Sequence, residues 1–146
     1  MPSVLPKFDR AYLWPILLAC AIFTASGASQ LATTDFGSQF SKDKIGHFLI
    51  FGLLATSLLR TPALKSARWP HLLTAVLIAA AFGAFDEFRQ SFTPGRSVEF
   101  ADWIADSLGA LVAALVYAKW AGYRRLLEWR KRHWNSPSAG QGKSRC

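Results

Sequence analysis

Charge is scarce in this chain. Only 18% of its 146 residues are Asp, Glu, Lys or Arg, against 51% hydrophobic and 14% aromatic, too little charge to solvate the surface of an ordinary globular domain. Cysteine is scarcer still. Cys20 lies in an apolar stretch and Cys146 is the last residue, a pair with neither metal-ligand spacing nor the density of a disulfide scaffold. No nucleophile motif, phosphate loop or cofactor fingerprint occurs, and no internal repeat organises the chain. The formal net charge of +8 would suit nucleic acid if the basic residues lined one solvated face. They sit instead in short clusters between long apolar stretches, which excludes nucleic acid as the partner and leaves a membrane as the medium.

What is present are four uncharged stretches, Ala11 to Thr34, Ile45 to Leu59, Trp69 to Phe85 and Ser107 to Ala118. A helix that crosses the hydrocarbon needs about 20 mostly apolar residues. The first and third stretches reach that range. The second and fourth do so only if Lys44, Arg60, Asp102, Asp106 and Lys119 occupy terminal turns, where basic side chains snorkel and acids face water or protein. The expected helices are therefore 11–30, 43–60, 70–90 and 101–121, and the expected fold is an all-α integral membrane protein, a four-helix transmembrane bundle. Tyr12, Trp14, Trp69, Trp103, Tyr117, Trp120 and Tyr123 bracket these spans as interfacial aromatics do.

Sidedness follows from the basic residues. Lys7, Arg10, Arg60, Lys65, Arg68, Lys119 and the seven basic residues beyond it fall on one side, thirteen of the 17. Lys42, Lys44, Arg89 and Arg96 fall on the other, so both termini are expected in the cytoplasm, in a multi-pass membrane protein. Residues 1–122 make the transmembrane domain. Residues 123–146 make a basic cytoplasmic tail, expected to be disordered after 135 because "NSPSAGQGKSRC" lacks apolar periodicity. Its first part, "YRRLLEWRKRHW", has the composition of a helix that lies on an anionic leaflet. The N-terminus has some features of a signal peptide, but its 24-residue uncharged run favours a retained helix.

Seven of the nine acids (Asp35, Asp43, Asp86, Glu87, Glu99, Asp102, Asp106) fall on the outer side. Gln90 shares a helical face with Asp86 and Glu87, and Asp102 shares one with Asp106. His47 enters from the second helix at similar depth. In the connection "SFTPGRSVEF", Pro94 and Gly95 carry turn chemistry, Ser97 is placed to cap the fourth helix with Glu99 in its first turn, and Arg96 stands beside that helix start, where a phosphate or sugar oxygen would be held. Asp43, Glu99 and Arg89 read as solvated interfacial charges, and Asp102 as a partner for Arg96 if the pairing is structural. Asp106 is the costliest to explain, because an ionised acid at the centre of a span costs about 2.5 to 3.5 kcal/mol.

"DKIGHFLIFGLLATSLL", followed after one further helix by "DEFRQSFTPGRSVEFADWIADSLGAL", resembles the VanZ-like family of small bacterial membrane proteins over residues 43 to 115. The carriers are Asp43, Lys44, His47 and Phe48, then Glu87, Gln90, Pro94, Gly95, Arg96, Asp102 and Gly109. In the pattern D-x-x-x-N-x-x-G this chain has Asp106 where the family usually has Asn. The resemblance implies a multi-helix membrane protein of the cell envelope, its naming member being linked to teicoplanin resistance.

These readings leave three roles open: a membrane enzyme acting on an envelope lipid or lipid-linked glycan, a binding or accessory protein, and a small transporter or flippase. The candidate catalytic residues are His47, Glu87, Asp102 and Asp106, and the candidate substrate-binding residues are Lys44, Gln90 and Arg96. No metal ligand set and no cofactor are expected, Mg²⁺ or Ca²⁺ entering only if a pyrophosphate had to be bridged to the acids. The expected partners are membrane lipids and a lipid-linked envelope precursor or glycan.

Overall fold

A computed structural model describes residues 9–28, 39–65, 67–92 and 99–134. The chain is all helical there, with no strand among the described residues. A one-turn 3-10 helix at Arg10–Tyr12, opened by the Asp9 carboxylate accepting from the Ala11 amide at 2.8 Å, leads into α1 (Leu13–Ala28). There follow α2 (Gln39–Leu58), α3 (Trp69–Gln90), α4 (Phe100–Lys119) and α5 (Ala121–Trp134).

The helix ends have local causes. Pro62 disfavours helical backbone at the residue before it, and α2 stops at Leu58 instead of running to 60. Its last carbonyls are taken up by turns, Arg60 N–H donating to Ser57 O and Thr61 N–H to Leu58 O, while the Thr61 hydroxyl donates to Leu58 O at 2.7 Å. Pro70 lies in the first turn of α3, where its missing N–H costs nothing. At the other end of α4, Trp120 leaves helical geometry (φ −104, ψ 98). α4 thereby ends at Lys119, two residues short of the expected 121, and the basic segment beyond it forms the separate α5. At its start α2 extends to Gln39, four residues before the expected boundary.

Among the described residues, three helices, Arg10–Gly27, Trp69–Gln90 and Phe100–Lys119, are long and apolar enough to cross a membrane. With about 1.5 Å of rise per residue, the 22 residues of α3 cover roughly 33 Å, matching a hydrocarbon core of about 30 Å. The fourth, α2, has 20 residues and carries a shorter apolar stretch, Lys44–Leu58, among the described residues.

Packing is closest between α2 and α4, and glycine permits it. A Cβ at Gly109 would lie 2.0 Å from the Phe48 carbonyl oxygen, and one at Gly52 would lie 3.1 Å from the Gly109 carbonyl oxygen. Small residues at helix crossings let backbones meet in this way inside membranes. Two apolar clusters fill the bundle: Ile22, Phe51, Leu54, Ala55, Ala79 and Ala110, then Leu59, Leu72, Ala75, Ala114 and Tyr117. Leu73, Leu77, Phe85, Phe88, Ile104 and Leu108 point outward and are exposed, whereas Asp86, Glu87, Gln90, Asp102 and Asp106 are buried. This inverts the water-soluble pattern, in which charge is almost never buried unless paired. The Cys20 thiol is free and exposed on α1; Cys146, the segment expected to be disordered after 135 and the TPGR turn lie outside the described residues.

Candidate functional site

The buried polar residues gather where the C-terminal turns of α1 and α3 meet the N-terminal halves of α2 and α4. Each is placed by helical spacing. Asp86 and Gln90, one turn apart, face inward from the end of α3, and the Gln90 amide donates to Asp86 Oδ2 at 2.8 Å. From α4, Asp102 and Asp106 face α2 one turn apart. Lys44 and His47, also about one turn apart, meet them. Lys44 Nζ lies 2.5 Å from Asp102 Oδ1 and 2.9 Å from Glu99 Oε2. His47 Nδ1 lies 2.9 Å from Asp106 Oδ1.

The His47–Asp106 pair has a shaped seat. The fully buried Phe51 ring lies nearly parallel to the imidazole, with centroids 6.3 Å apart and planes 8° apart. On the α3 side, a Cβ at Gly83 would come within 2.8 Å of Asp106 Oδ2, so glycine there makes room for the carboxylate. Trp103 Nε1 donates to Ala80 O at 3.0 Å and ties α4 to α3 beside it.

Asp86 is the best satisfied acid. Its Oδ1 accepts from Ser26 Oγ at 2.7 Å and from the Arg89 guanidinium at 3.0 Å, while Oδ2 takes the Gln90 amide. Arg89 also donates to the Ser26 hydroxyl and to Phe23 O at 3.1 Å, and its guanidinium carbon lies 4.2 Å from the centre of the Phe23 ring. A guanidinium suits this position because its planar fork can stack and donate in several directions at once.

Glu87 differs from the other acids. It is buried, and its Oε2 accepts the Glu99 backbone amide at 3.2 Å. No cation pairs with it among the described residues. Asp102, His47 and Asp106 are all near enough to act on it electrostatically. A buried carboxyl with a single backbone donor has acceptor capacity left for another hydrogen-bonding group.

Of the residues singled out by sequence, Lys44, His47, Glu87, Gln90, Asp102 and Asp106 are thus brought to one end of the bundle. Arg96 and Ser97 lie outside the described residues, as does the Asp43 side chain. Arg89 does not sit as a solvated charge: it is only 23% exposed at its side chain and holds Asp86 and α1 together. Glu99 is half-solvated at 40% but paired with Lys44, and it is the N-cap of α4 without a side-chain cap bond, so it precedes the first turn and leaves no capping position for Ser97. The observed partner of Asp102 is Lys44. Lysine on the preceding helix pair reaches it because α2 and α4 approach so closely at their glycines. Ser26, Gly83 and Phe51 escaped sequence reasoning. Glycine inside a long apolar helix was the one available signal; Ser26 gave none. Among the described residues, no group of three His, Cys, Asp or Glu is arranged to hold a metal ion.

Compared with known protein families, residues 12–122 match the family described as VanZ/LLP1. The match begins in the 3-10 turn and ends in the first turn of α5, so it includes α1, which the motif resemblance over 43–115 did not reach. No curated protein and no solved structure matches the chain.

Proposed function

The chain belongs to the VanZ/LLP1 family, and from that premise we propose that it is a multi-pass protein of the bacterial inner membrane whose buried polar end acts on or with an envelope lipid or lipid-linked glycan. The observation that carries this reading is the inversion of the bundle, with leucine and phenylalanine outside and five acidic or amide side chains buried at one end. In a chain with little charge, burying so many acids is costly unless each is paired or used. Of the four buried carboxylates, Asp86 pairs with Arg89, Asp102 with Lys44 and Asp106 with His47, and the half-exposed Glu99 shares Lys44. Glu87 is left over as the group that meets a ligand, hydrogen-bonding a hydroxyl or ammonium or exchanging a proton with it. Arg96, in the connection between α3 and α4, and Gln90, at the end of α3, are the residues to hold a phosphate or sugar oxygen. The His47–Asp106 pair supplies a nearby proton carrier.

In this reading α2 is the fourth span, its Lys44 and His47 being satisfied inside the bundle, and both termini are cytoplasmic, which places the polar end outward. An effect on glycopeptide tolerance is what the family's naming member suggests. A binding or accessory role without chemistry is the second reading, favoured by the pairing of Asp86, Glu99, Asp102 and Asp106 among the described residues. Transport through one copy is disfavoured by the two apolar clusters that fill the bundle beneath the polar layer.

The test is mass spectrometry of lipids retained by the protein purified in detergent. One lipid or lipid-linked glycan class should be enriched over the membrane from which it came, and Glu87→Gln should lose that enrichment. Retained lipid of bulk composition in both proteins would overturn the proposal.

A further inference from the structure

At the end of the bundle opposite the acids, α5 is joined to α4 only by the bend at Trp120. Arg124 bridges the bend, its guanidinium donating to Ala118 O at 3.1 Å. A Cβ at Gly122 would meet Trp120 Nε1 at 2.8 Å, so glycine lets the indole fold over the start of α5, where it stacks on Tyr123 with centroids 6.4 Å apart. Tyr123 and Leu127 pack on the second apolar cluster. These contacts fix which way α5 faces, and they leave Leu126 71% exposed.

Helical register then sorts the rest of α5. Gly122, Leu126, Trp129 and His133 share one strip at spacings of three and four, flanked by Arg125 and Arg132 on one side and Arg130 on the other. Glu128 lies on the opposite side. Over Ala121–Trp134 there are five basic residues (Arg124, Arg125, Arg130, Lys131, Arg132) and one acid. An exposed leucine on a helix face whose register also carries Trp129, with arginine positions to either side, is the layout of a helix lying in a bilayer interface, where an apolar strip enters the headgroup boundary and cations meet lipid phosphates.

We infer that α5 docks, by the Leu126 strip, on the anionic lipid surface of the membrane that the bundle crosses. The lipid is chosen over a protein partner by two features. α5 begins two residues after the membrane-length α4 and so starts at the edge of a span, and five cations against one acid are spread along the helix, with about a fivefold gain expected for each Lys or Arg near an anionic surface. The inference rests on the membrane reading of the bundle but not on the identity of the ligand at the acidic end.

The experiment uses the full chain in a Cys20→Ser/Cys146→Ser background, reconstituted in nanodiscs of phosphatidylcholine alone or with phosphatidylglycerol. A spin label is placed at Leu126→Cys, with Glu128→Cys and Leu77→Cys as references, and its accessibility to oxygen and to a water-soluble nickel complex is read. In phosphatidylglycerol the label at 126 should become oxygen-accessible and nickel-protected while the label at 128 stays in water. Arg125→Gln/Arg132→Gln should lower the docked-to-undocked ratio about 25-fold, and high salt should also lower it. Nickel accessibility at 126 that is the same in both lipids overturns the inference. Protection that appears only with added acidic protein, or only with two chains per disc, assigns the face to that occupant and also overturns it. A label at Leu77 that is reached by nickel would remove the membrane reading itself, a failure distinguishable from loss at 126 alone.

Discussion

Substitution of Gly109 by alanine tests the contact on which the arrangement of the polar end depends. The added Cβ would lie 2.0 Å from Phe48 O, 2.7 Å from Phe48 C and 2.8 Å from Phe48 Cα, and all three are backbone atoms that cannot swing aside. To restore an ordinary contact of 3.4 Å, α2 and α4 must separate locally by about 1.4 Å, a shift large against the tight packing of protein interiors. His47 precedes Phe48 and moves with it. Its 2.9 Å bond to Asp106 would stretch beyond hydrogen-bonding distance. Overpacking of this kind costs about 1 to 3 kcal/mol, and the buried pair that is broken adds to it. The expected result is a midpoint of thermal unfolding in detergent lowered by on the order of 5 to 10 °C, with loss of the retained ligand. Gly46→Ala is the internal control: a Cβ there meets nothing within 4 Å, so helix propensity alone should act and raise stability by up to about 1 kcal/mol. Gly52→Ala, whose Cβ would be 3.1 Å from Gly109 O, should fall between. If Gly109→Ala were as stable as Gly46→Ala, the close approach of α2 and α4 would be wrong, and with it the placing of His47 and Lys44.

Lys44→Met and Asp102→Asn should each destabilise the protein by about 2 to 4 kcal/mol, because each leaves part of the cluster without its partner. The double variant should recover at least about 1 kcal/mol relative to additivity in a thermal double-mutant cycle; strict additivity would count against the pair. Asp106→Asn keeps an acceptor for His47 and should preserve folding, whereas Asp106→Leu should lower abundance and unfolding temperature; equal stability of the two would remove the importance of the His47 bond. Glu87→Gln keeps an oxygen for the Glu99 amide, so the expected outcome is normal stability with loss of bound lipid or of glycopeptide tolerance, and a variant with full function would assign Glu87 a structural role. Alkaline phosphatase fused after Gly142 should be inactive, as expected of a cytoplasmic terminus, and activity there would reverse the proposed orientation.

Composition and the spacing of charges were enough to determine that this chain forms apolar helices of membrane length, with polar residues confined to one end and a basic segment at the other. Those features are local: runs of about 20 residues between charges set helix lengths, and an alternation of long helices with short connections brings the end of α3, the starts of α2 and α4 and the end of α1 to the same level. The pairing of Asp102 with Lys44, the clamp of Arg89 on Asp86, Ser26 and Phe23, and the isolation of Glu87 from any described cation were decided only in three dimensions. A lysine or arginine side chain reaches far enough to serve several acids, so its partner depends on how each helix is rotated and how closely its neighbour approaches. Rotation and approach are set here by tertiary contacts at Gly52, Gly83 and Gly109, where a missing Cβ lets a neighbouring carbonyl or carboxylate come in. The exact place of the bend between α4 and α5 has the same origin, since Trp120 leaves the helix where its indole closes over Gly122, whereas the sequence marks only the change from an apolar to a basic segment near 122.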